Sequence, residues 1–339
     1  MPPTPPRKPA LAVILIAFAG GCEAADPTPT PVIPEPEFTV TAEQTHNRFS
    51  AAIAPAIRVP SGAVVEVFTK EASDGQLTAE SGLDELRAVS FDPIHPLTGP
   101  VFVEGAEPGD RLAVDLLQID VGDWGWMAVV PGFGFLADEF SEPWLRTVRI
   151  APGDTVARFA PGVEIPLRPF AGVMGVAPPT DSMLSTIPPR ANGGNMDNRH
   201  LVAGTTVYFP VFVPGGLFSI GDTHAAQGDG EVSGTGIEAP MRIVYRIRLE
   251  KGARAIPEPQ YESADYYAVT AFAEDLDAAA KKATRYMIDY LVAEHGLDRT
   301  EAYVLCSLAG DLKISEVVDV PHVLVSMHIP KRVLPRQGS

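Results

Sequence analysis

The stretch EPGDRLAVDLLQI, residues 107–119, opens on a Pro-Gly-Asp turn and runs into a segment where apolar and polar residues alternate. A turn former followed by period-two alternation is the signature of a strand with one face buried. The same grammar recurs. AVVEVFT (63–69), TVYFPVFV (206–213) and PMRIVYRIRLE (240–250) read as strands, and APGD (151–154) and VPGG (213–216) read as turns. The repeated turn is reuse of a good turn rather than an internal duplication. Many short strands with regular punctuation predict a β-sandwich, jelly-roll-like body from Phe38 to about 255.

After Tyr261 the period changes. In EDLDAAAKKATRYMIDYLVAE (274–294), Leu276, Ala280, Ala283, Met287, Tyr290 and Leu291 fall on one helical face, and Gly296 should stop the helix. DRTE, from Asp298 to Glu301, has the form of a capping box and predicts a second helix running to Gly310. ISEVVDVPHVLVSMHIP (314–330) returns to strand, broken at Pro321. The fold class is therefore mainly β, α+β overall: a β-rich part over 38–255, an α+β part over 256–330 with a helical pair and terminal strands, and a tail at 331–339.

The ends differ from this body. Arg7 and Lys8 precede an apolar run from Ala10 to Ala19 that ends in small residues before Cys22, which reads as a secretory leader over 1–21. The small residues before Cys22 resemble a bacterial lipobox, and predict a lipid anchor in the cell envelope, with plain cleavage and release as the alternative. Residues 22–37, with prolines throughout, form an extended linker. Only Cys22 and Cys306 exist, so no internal disulfide is expected, and the apolar neighbours of Cys306 predict a buried thiol. A net charge of −17 excludes nucleic acid as a partner and leaves small neutral or cationic molecules.

Three clusters carry the candidate chemistry. In GDTHAAQGDGE (221–231), Asp222, His224, Asp229 and Glu231 are the oxygen and imidazole donors a divalent cation accepts, and Asp222 and His224 would share a face of an extended strand. A polar surface turn has the same composition, so the stretch alone decides nothing. In STIPPRANGGNMDNRHL (185–201), Asn195 can donate to an oxyanion and Asp197 can ligate a metal or orient an imidazole. In DWGWMAVVPGFGFLADEF (123–140), Trp124, Trp126, Phe133 and Phe135 form either a satellite core or the wall of a pocket. His46 and His95 stand apart from these blocks, while His322 and His328 need no function. There is no GxSxG elbow, phosphate loop, HExxH or CxxC.

Taken in order, HPLTGPVFVEGAEPGD (95–110), the aromatic block, STIPPRANGGNMD, VPGGLFSIGDTHAAQGDGEVSGTGIE (213–238) and GDLKISEVVDVP (310–321) resemble the acetamidase/formamidase family of amide hydrolases. The resemblance covers roughly His46 to Pro330. It implies hydrolysis of a short linear amide to ammonia and a carboxylate, on a β-sandwich-like body commonly assembled as a homo-oligomer. Carried over by position, it selects Asn195, Asp197, Asp222, His224, Gln227, Asp229 and Glu231, and His46 as an early histidine.

On that reading Asp222, His224, Asp197 and His46 are the candidate ligands of a divalent metal, with Zn²⁺ the first choice. Glu231 or Asp229 is the proton acceptor, Asn195 with the backbone amides near Gly193 and Gly194 holds the oxyanion, and Gln227, Trp124, Trp126 and Phe133 meet the substrate. A metal-free variant would use Glu231 directly. Two departures from the family stand out: Ser233 where many members carry cysteine, and the leader, since the family is usually cytoplasmic. The competing readings are an exported small-molecule binding protein that kept the scaffold without the chemistry, and a structural surface protein.

Overall fold

The structure, a computed structural model, describes Met1 and residues 33–335. The leader and most of the linker expected over 1–37, and the last four residues of the tail, lie outside the described residues. From Pro34 onward the chain forms one compact unit.

Two large sheets build it. The larger has nine strands in the order Phe38–Val40, Val64–Phe68, Met241–Glu250, Arg111–Val121, Thr206–Pro210, Gln260–Glu262, Tyr266–Ala273, Val323–Pro330 and Asp311–Glu316. The second runs Gly193–Asn195, Phe170–Gly175, Phe218–His224, Leu97–Val103 and Thr45–His46, with Ile57–Val59 also pairing Leu97–Val103.

The strand that follows the Pro-Gly-Asp turn is Arg111–Val121, and it lies third from neither edge but in the middle of the body, between Met241–Glu250 and Thr206–Pro210. Its inward residues Leu112, Val114 and Leu116 are fully buried with Ile243, Tyr245 and Phe209 of its neighbours. Phe218 of the opposite sheet packs at 5.4 Å, centroid to centroid, against both Phe209 and Tyr245. The two sheets therefore meet face to face over an apolar layer, as the sandwich reading expects.

Helix Leu276–His295 is capped by Asp275, whose side chain accepts from Ala278 N, and ends at Gly296 in the left-handed region, φ 66°. Helix Arg299–Ala309 starts with the expected capping box, Asp298 and Glu301 satisfying each other's backbone. The buried stripe of the longer helix includes Ala279 and Ile288 in place of Ala280 and Leu276, a rotation of one position. Both helices cover the face of the larger sheet made by Val269, Ala271, Val325 and Met327. The change near 255 is one of covering layer, since Gln260–Glu262 pairs with Thr206–Pro210 and carries the same sheet onward. Cys306 is buried, and burial pushes its thiol up to about 11.

Candidate active site

Strand Phe218–His224 is buried along its whole length and delivers Asp222 and His224 into the interior. Asp222 does not keep strand geometry; its φ is 49°, in the left-handed region that costs a non-glycine residue about 1–3 kcal/mol. Asp197 and Glu231 share that conformation, at 37° and 45°. Three of the five non-glycine residues with positive φ among the described residues are thus acids of one cluster, which marks it as a place where local strain is tolerated for side-chain placement.

Space for these acids comes from a glycine. A Cβ built at Gly172, on the neighbouring strand, would lie 2.3 Å from Asp197 Oδ1 and 3.0 Å from Asp222 Oδ2. No side chain fits there without displacing both carboxylates.

His224 is the centre of the cluster and is 1% exposed. Its Nδ1 lies 2.6 Å from Gln227 Oε1, and Gln227 Nε2 donates to the backbone carbonyl of Asp197 at 2.7 Å. An amide oxygen only accepts, so Nδ1 carries the proton and Nε2 faces the other way. There it meets Glu238 Oε2 at 3.1 Å and Asp222 Oδ1 at 3.5 Å. Glu238 is placed by backbone bonds in both directions with Trp126, and its Oε1 accepts from Gly236 N at 2.7 Å. On the Nδ1 side lie Asp197 Oδ1 at 3.6 Å and Glu231 Oε1 at 3.9 Å.

The electrostatics of this arrangement are one-sided. Asp197, Asp222, Glu231, Glu238, Glu316 and Asp319 are all buried, and His95 and His224 are the imidazoles among them. Burial raises the carboxyl of Asp197, offset only in part by His224. Burial and then Asp197 push Glu231 well above the carboxylate range, and burial lifts Glu238 to about 7. Burial with the neighbouring Asp197 and Glu316 raises Asp319, and burial takes Glu316 to about 8. Burial opposes ionisation of Asp222 too, but His95 and His224 outweigh it and hold its carboxyl low. For His224 burial disfavours the charge, and Glu238 and Asp222 more than compensate.

So many buried acids facing one another call for a cation. Both carboxylate oxygens of Asp197 lack a hydrogen-bond partner. Two sets of donors, Asp197, His224 and Glu231, and Asp222, His224 and Glu238, each bring their ligand atoms within 4.8 Å of one another. Hard oxygens with one imidazole suit a divalent cation, so the residues present could hold a divalent metal of the class expected from the sequence.

Opposite the acids is an apolar wall of Phe91, Ile94, Trp126, Val130, Phe133 and Ile187. The cavity between them is about 50 Å³, room for a few water-sized groups. Trp126 is fixed by donating Nε1–H to the buried Glu71 at 2.6 Å.

The structure brings together Asn195, Asp197, Asp222, His224, Glu231, Trp126 and Phe133 at this cavity. Gln227 stands behind His224 rather than on the cavity, and Trp124 packs against the satellite core around Trp126. His46 is set apart: Nδ1–H donates to Arg48 O at 2.7 Å, and Nε2 accepts from Ser219 Oγ at 2.8 Å, so both ring nitrogens are engaged away from the cluster. Asp229 is also outside, half-exposed and 3.3 Å from His200 Nε2. Asn195 donates one of its two amide N–H groups to Asp319 Oδ2 at 2.7 Å, and Gly193 N donates to Arg190 O. Glu238 and Asp319 line the cavity without having been singled out from the sequence, and His95, noted there without a role, lines it as well; each lies within a block quoted for the family.

A sequence model of the acetamidase/formamidase family matches residues 34–185 and 180–336. The acetamidase of Mycolicibacterium smegmatis is 30% identical over 268 residues, which is 61% of this chain and 66% of that protein. The formamidase of Methylophilus methylotrophus is 28% identical over 86% of this chain and 89% of its own. In three dimensions the chain superposes on the crystal structure of an acetamidase from Bacillus halodurans with a TM-score of 0.82, at 34% identity, covering 87% of this chain and 97% of that one.

Proposed function

The chain belongs to the acetamidase/formamidase family, and we propose from that footing that it hydrolyses the C–N bond of short linear amides such as formamide and acetamide. The observation that carries the proposal is the pairing of one buried imidazole and its ring of acids with a cavity of about 50 Å³. A three- or four-heavy-atom amide matches that volume; a bulky one does not.

The tautomer of His224 selects the ligand set. With Nδ1–H held by Gln227, Nε2 is the ring nitrogen grouped with Asp222 and Glu238, and once it gives up its proton these three would hold the cation. When bound, a divalent metal supplies Lewis acidity toward a carbonyl oxygen or water. Glu231, on the other side of the ring, is the base: its buried carboxyl holds a proton at unusually high pH, so as carboxylate it takes a proton from water. The water oxygen bonds to the carbonyl carbon, the Glu231 proton passes to the amide nitrogen, and the C–N bond breaks to release ammonia and the carboxylic acid. The apolar wall of Trp126, Phe133 and Ile187 orients the acyl side of the substrate and limits its size. The leader read over residues 1–21 puts this activity outside the cytoplasm, which cell fractionation of the wild type and of Cys22→Ala tests.

The central experiment is ammonia release from formamide, acetamide and longer amides, with metal analysis of the same sample. Turnover that falls as the acyl chain lengthens, and is lost in His224→Ala, is expected. Tight amide binding with no turnover in metal-replete wild type would instead make the protein a binder.

A further inference from the structure

The cavity beside His224 must meet solvent somewhere, and the burial of its lining shows where. The acids and His224 are buried, whereas Phe91, 43% exposed, is the one exposed residue of the lining among the described residues. A single exposed phenylalanine ordinarily needs no explanation. This one is held in place from both sides. Gln76 pins the residue before it, donating Nε2–H to Ser90 O at 2.9 Å and accepting from Ser90 N at 2.7 Å. Asp92, the residue after it, is pinned as well: its carbonyl accepts from Asn47 Nδ2 at 2.7 Å and Arg48 Nη1 at 2.9 Å, and its carboxylate pairs with Arg48. These clamps fix a stretch of backbone that lies outside any helix or strand.

The Phe91 ring stands edge-on to Phe133, with centroids 6.0 Å apart. Phe133 in turn rests on Gly234, where a Cβ would come within 2.5 Å of its ring, and Gly234 N donates to Glu231 O at 2.8 Å. Two rings thus join the Phe91 segment to the turn that carries Glu231.

We propose, on the footing of the amide-hydrolase reading, that Phe91 is the specificity-determining residue at the mouth of the cavity. It stops the acyl end of the substrate, and with Phe133 it turns away amides whose acyl chain carries a carboxylate. A carbonyl held at the acids sends the acyl chain toward the apolar side, and the exit from that side is Phe91. An ionised tail meets two rings that cannot replace its hydration, with the ring of buried acids behind them. Among the described residues no lysine or arginine lines the cavity to pair with such a tail. Ile94 and Trp126 are buried and Ile187 half-buried, so trimming one of them enlarges an enclosed space. Trimming Phe91 instead opens the space to solvent.

The test is kcat/KM for acetamide, butanamide, hexanamide and succinamate, the last being butanamide with a carboxylate in place of its methyl group. Phe91→Ala should raise the ratio of butanamide to acetamide about tenfold, and that of hexanamide by as much, because the tail now leaves through the mouth. Ile187→Ala should help butanamide and not hexanamide. Gln76→Leu, which frees Ser90, should move the ratios in the direction of Phe91→Ala by a smaller factor. Succinamate should stay poor in Phe91→Ala and gain about tenfold in Phe91→Arg, whose guanidinium can pair with the carboxylate. A ratio taken within one protein is blind to the folded fraction, so a merely structural role would not move it. Access is also read without turnover. In a Trp124→Phe/Trp144→Phe background, acrylamide, an uncharged amide, should quench Trp126 more strongly once Phe91 is alanine, and iodide should not. Unchanged ratios in Phe91→Ala, with acetamide still hydrolysed, would overturn the role of Phe91 and leave the hydrolase reading standing. Equal acrylamide quenching with and without the ring would overturn Phe91 as the mouth, whether or not the protein hydrolyses amides.

Discussion

Gln227 Oε1 lies 2.6 Å from His224 Nδ1, and the other end of the same amide holds the backbone carbonyl of Asp197. One side chain thus fixes the tautomer of the central histidine and the position of the acid beside it. Gln227 touches no substrate-facing surface of the main cavity, so its effect passes through His224.

Gln227→Leu should lower kcat/KM by about 10–100-fold and reduce bound metal, the range seen when an outer partner of a ligand is removed. Gln227→Glu keeps an acceptor for Nδ1–H and should lose less. The comparison is made on kcat/KM and on metal content per chain. A Leu variant with full metal occupancy and unchanged kcat would show that His224 needs no such anchor.

Gly172→Ala tests packing in the same place. Its new methyl would sit 2.3 Å from Asp197 Oδ1, so Asp197 or the strand must move. A displacement of that size at a reacting group costs on the order of 100-fold in rate. The neighbouring sheet is otherwise intact, so circular dichroism should be unchanged while turnover and metal content fall together.

Much of this fold is written locally. The capping box at Asp298, the stop at Gly296 and the alternation in Arg111–Val121 are all decided by residues within a few positions of one another. The site is written locally only in part. Asp222 and His224 were expected to share a strand face, and they do converge, but through the left-handed turn of Asp222 rather than simple alternation. Asp229 and Glu231 look equivalent in the sequence. Gly230, at φ 96°, separates them, so that Glu231 is buried against His224 while Asp229 turns out to His200. Glu238, His95 and Asp319 reach the cavity from three distant segments, and nothing at their own positions distinguishes them from ordinary polar residues.

His46 carries a prediction about pH. Burial depresses its folded pKa to about 4 from 6.5, opposed only in part by the hydrogen bond to Arg48 O, which favours the charged ring. A base with a depressed folded pKa leaves the unfolded chain binding more protons between those values. Its contribution is fully present above about 6.5 and is lost as pH falls toward about 4. In urea melts, the wild type should lose roughly 1–2 kcal/mol more than His46→Gln between pH 7 and pH 5. Parallel pH profiles for the two proteins would mean that His46 titrates normally.

Ser233 is the position where many family members carry cysteine, and a thiol nucleophile there would make this chain defective. The structure argues otherwise. Ser233 is exposed, its Oγ is directed to the carbonyl of Thr235 at 3.4 Å, and it lies off the cavity lined by His224 and Glu231. Its backbone matters more than its side chain, since a Cβ at Gly134 would meet Ser233 O at 2.9 Å, so this segment packs against the loop that carries Phe133. Ser233→Ala and Ser233→Cys should both keep kcat/KM for formamide and acetamide within about threefold, as exposed substitutions do. Thiol-blocking reagents should leave the wild type active, because Cys306 is buried with its pKa raised to about 11. A large rate gain in Ser233→Cys, abolished by such a reagent, would place covalent chemistry at this position and displace Glu231 from its role as base.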